Sequence, residues 1–150
     1  MDFQRDYLVH YYEADSSHRL SLPALVQYFE DVAILHSASR GLDLAYYDEN
    51  HCVWMLLKWD VVIHERPLFG QTVRVGTSIN AIRKFLADRK FEMTAEDGTL
   101  LAEGRSNWLF VDTEKRRPMR VPDLQYEKFS VASDSEKNFV AIDEVLPVQP

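Results

Sequence analysis

Between Ser21 and Gly41 the chain carries one long amphipathic segment, SLPALVQYFEDVAILHSASRG, and any fold must bury one face of it. Leu22, Leu25, Val26, Phe29, Val32, Ala33 and His36 recur at helical spacing, whereas Gln27, Glu30, Asp31 and Ser37 fall off that stripe. Ser21 is a good N-cap, because its hydroxyl can accept a bond from an orphaned amide. Pro23 falls in the first turn, where its missing N–H costs nothing. Gly41 suits the position just past the helix end. About five turns, near 27 Å at a rise of about 1.5 Å per residue, are expected.

The remainder reads as strands. Phe3 to Glu13 is rich in aromatic and β-favouring residues and predicts a first strand. VWMLLKWDVVIHE (53–65) is apolar and then alternating, and its Trp54, Met55, Leu57 and Trp59 read as core. RPLFGQ turns the chain into TVRVGTSINAI, RKF links to LADRKFEMTA, and the tight-turn signal EDG precedes TLLAEGRSNWLFVD and the basic turn TEKRRP. Short connections force antiparallel pairing. One helix and one such sheet bury each other best when the sheet curls around the helix, an α+β arrangement. A domain over 1–122 is expected, followed by a polar, weakly patterned extension or linker over 123–150 that ends in DEVLPVQP.

A chain of 150 residues suits a single core. The net charge of −7 argues against unspecific affinity for nucleic acid or an anionic membrane. One cysteine, Cys52, excludes an intramolecular disulfide and a cysteine-cluster zinc site, and the five histidines lack metal-ligand spacing. With no apolar run for a signal peptide or a membrane span, a cytoplasmic protein is expected. Cys52 beside His51 does not read as a nucleophile and base, since adjacent strand residues face opposite ways.

YEADSSHRLSLPALVQYFEDVAILHS, WMLLKWDVVIHERPLFGQTVRV and GRSNWLFVDTEKRRPMRVP resemble, in collinear order over roughly residues 5 to 122, the amino-terminal hotdog of acyl-acyl-carrier-protein thioesterases. That resemblance implies the hotdog fold and hydrolysis of fatty acyl thioesters without cofactor or metal. Members usually carry two hotdogs, with catalytic Asp, Asn and His at alternate positions in the second. Laid on this chain, that pattern meets Asp15, Ser17 and Arg19, with His18 one place out of register. Single-hotdog hydroxybenzoyl-coenzyme A thioesterases are similar around YYEAD, where the aspartate is catalytic. The resemblance therefore implies Asp15 as general base or nucleophile, oriented by Ser17 or His18.

The start of the helix is expected to offer amide donors to a developing oxyanion. Glu30 is a second candidate acid, since some hotdog thioesterases place theirs on the helix. His36, on the buried stripe, reads as a hydrogen-bonded core residue. Trp54 and Trp59 can serve core and acyl pocket together. Basic residues crowd the stretch from 83 to 120, and Arg83, Lys84, Arg116 and Arg117 fall in or beside turns. Acidic acyl carrier protein or the phosphates of coenzyme A could dock there. An unpaired sheet edge predicts a homodimer or higher homo-oligomer. The alternatives are a non-catalytic acyl-binding module or half of a tandem thioesterase, for which Ser17 and Arg19 in place of Asn and His speak, or an interaction domain from a longer chain.

Overall fold

The computed structural model describes residues 1–142. Strand β1 (Phe3–Leu8) leads through a 3-10 turn (Tyr11–Glu13) to helix α1 (Leu22–Ser39). A short helix α2 (Leu44–Glu49) precedes β2 (Cys52–Ile63), β3 (Thr72–Arg83), β4 (Leu86–Ala95) and β5 (Leu100–Asp112). The chain then forms β6 (Arg117–Pro118), helix α3 (Asp123–Lys128) and a second 3-10 turn (Ser135–Asn138). DEVLPVQP lies outside the described residues.

The sheet is antiparallel in the order β1-β3-β4-β5-β2, with β6 added to β5. Its inner face curls around α1, which is the hotdog architecture. The helix begins and ends where its caps require. Ser21 Oγ accepts from the Ala24 amide at 3.2 Å, and Gly41 adopts a left-handed φ of 82°. Replacing Ser21 by alanine should cost about 1 kcal/mol of stability, read as a lower urea midpoint at unchanged m-value.

The buried stripe is rotated from the expected one. Ala24 and Tyr28 join Leu25, Phe29, Val32, Ala33 and His36 inside, whereas Leu22 is exposed. Tyr28 earns its place by donating its hydroxyl to Glu13 Oε1 at 2.6 Å while its ring stacks on Tyr7. The first strand also stops earlier than expected. Past Leu8 the backbone of Val9 turns to bond Gln71 and Gly70, and the Glu13 carboxylate then accepts from the His10 amide to close the 3-10 turn. On β2, Met55 and Leu57 are exposed rather than core. Leu57 sits at a bulge in the pairing with β5, and Met55 falls in an exposed phase of the strand.

Phe29 meets the sheet at Gly104, where a Cβ would stand 2.9 Å from the ring. Phe91 and Trp59 flank it at ring-centroid distances of 5.0 and 6.0 Å. From 123 to 142 the chain is anchored to the domain. Phe129 and Gln125 are buried, and Trp54 Nε1 donates to Gln125 Oε1 at 3.3 Å. Farther on, the Asn107 side chain binds the backbone of Val140 and Ile142 as another strand would. Polar composition concealed this, because the segment anchors through a few aromatic and amide groups rather than an apolar run.

Candidate functional site

The carboxyl-terminal half of α1 does not lie flush on the sheet. Between it, α2, β2 and the inner faces of β3 to β5 lies a cavity of about 560 Å³, within the roughly 300–1,000 Å³ of small-molecule sites. Ala33, Ile79, Ala87, Trp108 and Phe129 make its walls apolar, and the partly exposed Ile34, Leu44 and Val53 stand at its entrance. Two of the residues singled out from sequence line it. Glu30 projects from α1 and Trp54 from β2. Trp59 does not, since it packs with Phe29 and Phe91 in the neighbouring core.

Asp15, Ser17, His18 and Arg19 gather at the other end of the helix. The cap at Ser21 precedes Glu30 by nine residues, roughly 14 Å along the axis. Asp15 lines none of the cavity. Its Oδ1 accepts from the Ser17 amide at 2.9 Å and from the Ser17 hydroxyl, and its Oδ2 pairs with Arg66. The Ser17 hydroxyl and the Arg66 guanidinium hold this carboxyl well below the usual carboxylate range. It is ionised, weakly basic, and already engaged on both oxygens. Arg19 donates to the Arg66 carbonyl at 2.6 Å, and His18 takes a left-handed φ of 64° that shapes the turn.

The helix start offers fewer donors than expected. Pro23 has none, the Ala24 amide is taken by Ser21 Oγ, and the Leu25 amide by Ser21 O. Only Leu22 N–H is left without a protein acceptor among the described residues. The basic turns do come together. The β3–β4 hairpin carries Arg83 and Lys84, Arg116 lies in the β5–β6 turn, and Arg117 opens β6. The Val121 amide bonds the Lys84 carbonyl at 2.8 Å, so both turns lie at one end of the sheet, the end toward which the cavity extends. All four side chains are exposed.

The residue that sequence reasoning missed is Arg89. It is counted among the basic residues of the 83–120 stretch, yet it lines the cavity at 6% exposure. The signal lay in the period of β4, where Arg89 shares its phase with Ala87, Phe91 and Met93 on the inner face. Its Nη1 donates to Thr77 Oγ1 at 3.1 Å and meets His36 Nδ1 at 3.0 Å.

His36 is fully buried, stacked on Phe3 and edge-on to Phe129. Burial, with the guanidinium groups of Arg89 and Arg40 nearby, pushes its pKa down from 6.5 to about 3. The native state therefore keeps it neutral where the unfolded chain protonates. Its share of stability is full above pH 6.5 and is lost as pH falls from 6.5 toward 3. Urea unfolding of wild type and His36→Gln at pH 7 and pH 4 should show a shallower acid loss in the variant.

Comparison with known proteins agrees with this fold. The family model described as the acyl-ACP thioesterase N-terminal domain matches residues 1–129. A chloroplastic palmitoyl-acyl carrier protein thioesterase of Gossypium hirsutum is 24% identical over 142 residues, 88% of this chain. The chain spans about a third of the length of the curated relatives it matches, 34% for that one. Among solved structures, a Staphylococcus aureus protein in complex with CoA superposes with a TM-score of 0.81 at 17% identity, covering 94% of this chain and 95% of that one. An acyl-ACP thioesterase from Bacteroides thetaiotaomicron gives a TM-score of 0.74 at 22% identity, covering 79% of this chain and 49% of that one. At these identities the structures establish the fold.

Proposed function

Because the chain belongs to the acyl-ACP thioesterase family through its N-terminal domain, we propose that it hydrolyses fatty acyl thioesters and that its cavity holds the acyl chain. The carrying observation is the cavity itself, apolar along its walls with a carboxylate, Glu30, in its lining. In the reaction a water oxygen bonds to the thioester carbonyl carbon and loses a proton to a carboxylate. The tetrahedral adduct then collapses, the C–S bond breaks, and the departing sulfur takes up the proton as a thiol. No cofactor or metal takes part in this reading.

Glu30, which lines the cavity, would take the base role beside a chain lying in it. Asp15 is the second candidate. In a single chain it is remote, so its participation requires a partner subunit that brings the helix start to another cavity. The outer edge of β2 supports such a homodimer. It pairs with no strand among the described residues, and Met55, Leu57, Val62 and Ile63 are exposed along β2. Arg83, Lys84, Arg116 and Arg117 would receive acidic acyl carrier protein or the phosphates of coenzyme A. Reversing charge at Arg116 and Arg117 together should raise KM for the carrier-bound substrate about tenfold at low salt and much less at high salt. No helix among the described residues is long and apolar enough to cross a membrane, and the proposed setting is the cytoplasm.

A second reading, an acyl-binding module without turnover, is favoured by one observation. Both oxygens of Asp15 are occupied, and Ser17 and Arg19 stand where the family pattern has Asn and His. Hydrolysis of dodecanoyl-coenzyme A and dodecanoyl carrier protein separates the two. Turnover that is lost in Glu30→Gln or Asp15→Asn supports the enzyme, whereas tight binding with no turnover supports the module.

A further inference from the structure

Arg89 is an anomaly in the cavity. A guanidinium taken out of water is normally matched by a carboxylate, and the cost of leaving it unmatched is high. Among the described residues no carboxylate forms an ion pair with it, and its hydrogen bonds there are Nη1 to Thr77 and to His36. Neither partner bears negative charge; the Phe129 ring lies 5.5 Å from the guanidinium carbon, and Tyr47 and the Asp2 carboxylate act on it without forming a hydrogen bond to it. Thr77 donates its own hydrogen to the Lys90 carbonyl at 2.9 Å, and His36 is neutral. Burial lowers the Arg89 pKa only to about 10, so the charge persists at neutral pH. Nε and Nη2 carry no hydrogen bond to the described residues, and they form one side of the planar fork that carboxylates fit.

The position of the fork matters as much as its charge. Ile79 on β3 and Ser106 on β5 are its cross-strand neighbours. Arg89 therefore stands on the central strands, at the floor of the cavity, while Ile34 and Leu44 mark the entrance. A chain reaching past the apolar walls ends against the guanidinium. A saturated methyl terminus there would leave the charge unmatched. A phosphate dianion would overcompensate it, since Arg89 is the one cation among the residues that line the cavity. A carboxylate neutralises it one for one.

We propose that the cavity floor is an anion site in which Arg89 binds the terminal carboxylate of an aliphatic chain. This rests on the cavity being the acyl site and adds what the buried end of the ligand carries. Two sources share that chemistry, a free fatty acid entering carboxylate first and a thioester whose far end is a carboxylate.

The fluorescence of Trp54 and Trp108, both in the cavity lining, reports occupancy in titrations of the purified chain. Dodecanoate should bind wild type roughly tenfold or more tightly than methyl dodecanoate. Arg89→Met should erase that preference while retaining methyl dodecanoate affinity, which also shows that the variant is folded. Preference in this pair alone marks the free acid as ligand. An added preference for dodecanedioyl-coenzyme A over dodecanoyl-coenzyme A marks the thioester. Equal affinity of acid and methyl ester for wild type overturns the anion site and leaves the acyl pocket standing. Binding of neither overturns both. A preference that survives in Arg89→Met assigns it elsewhere and overturns the role of Arg89.

Discussion

Replacing Gly104 by valine is expected to cost about 2–3 kcal/mol and to lower the melting temperature by roughly 5–10 °C. The cause is space rather than backbone freedom. A Cβ at this position stands 2.9 Å from Phe29 Cε2 and 3.3 Å from Cδ2. Phe29 is completely buried and cannot retreat, because Phe91 stacks on it and Trp59 closes its other flank. The two larger branches of valine would push α1 off the sheet where the helix is held closest. Adding Phe29→Leu should recover part of the loss, a coupling of about 1 kcal/mol in a double-mutant cycle. Additive losses would show that helix and sheet do not meet through this pair.

Glu30→Gln is expected to lower kcat about a hundredfold or more with little change in KM, if this carboxylate accepts the proton of the attacking water. The amide keeps the size and shape of the cavity lining, so the loss would report chemistry rather than packing. Asp15→Asn gives the contrast. Its carboxylate is held ionised by Ser17 and Arg66, and the neutral amide would loosen the turn that leads to the helix cap. A fall in activity confined to Asp15→Asn, with Glu30→Gln unaffected, would move the chemistry to the helix start and make a second subunit necessary.

The architecture was largely legible because local signals agreed with one another. The Ser21 cap, Pro23 and Gly41 bracket a helix whose ends fall within two residues of expectation. The strand from 86 to 95 was read with its observed bounds, since alternation and the flanking turns left no competing period. Legibility failed where tertiary contacts override local pattern. Tyr28 and Ala24 took the buried positions once β1 supplied Tyr7 as a stacking partner. The segment after Pro122 reads as a polar extension or linker because its contacts are few and distant: its own Gln125 and Phe129 are buried, and Trp54 and Asn107 bind it from far along the chain.

The site was harder to read than the fold. Spacing could place Asp15 before the helix, but not reveal Arg66, fifty-one residues on, as the partner that occupies it. Arg89 was hidden by company, one basic residue in a basic stretch. Its phase on β4 was the only clue. A cavity is a failure of packing between elements, and no single element's pattern records it.

The central claim, that this cavity receives the acyl chain of a thioester that the protein cleaves, is tested most directly by steady-state hydrolysis of dodecanoyl thioesters by wild type and Ile34→Trp. Ile34 is half exposed at the entrance, so a larger side chain narrows the way in without disturbing the core. The account predicts turnover by wild type and a KM raised about tenfold or more in the variant. Wild-type turnover with an unchanged KM in Ile34→Trp, or no turnover of any acyl thioester, would contradict it.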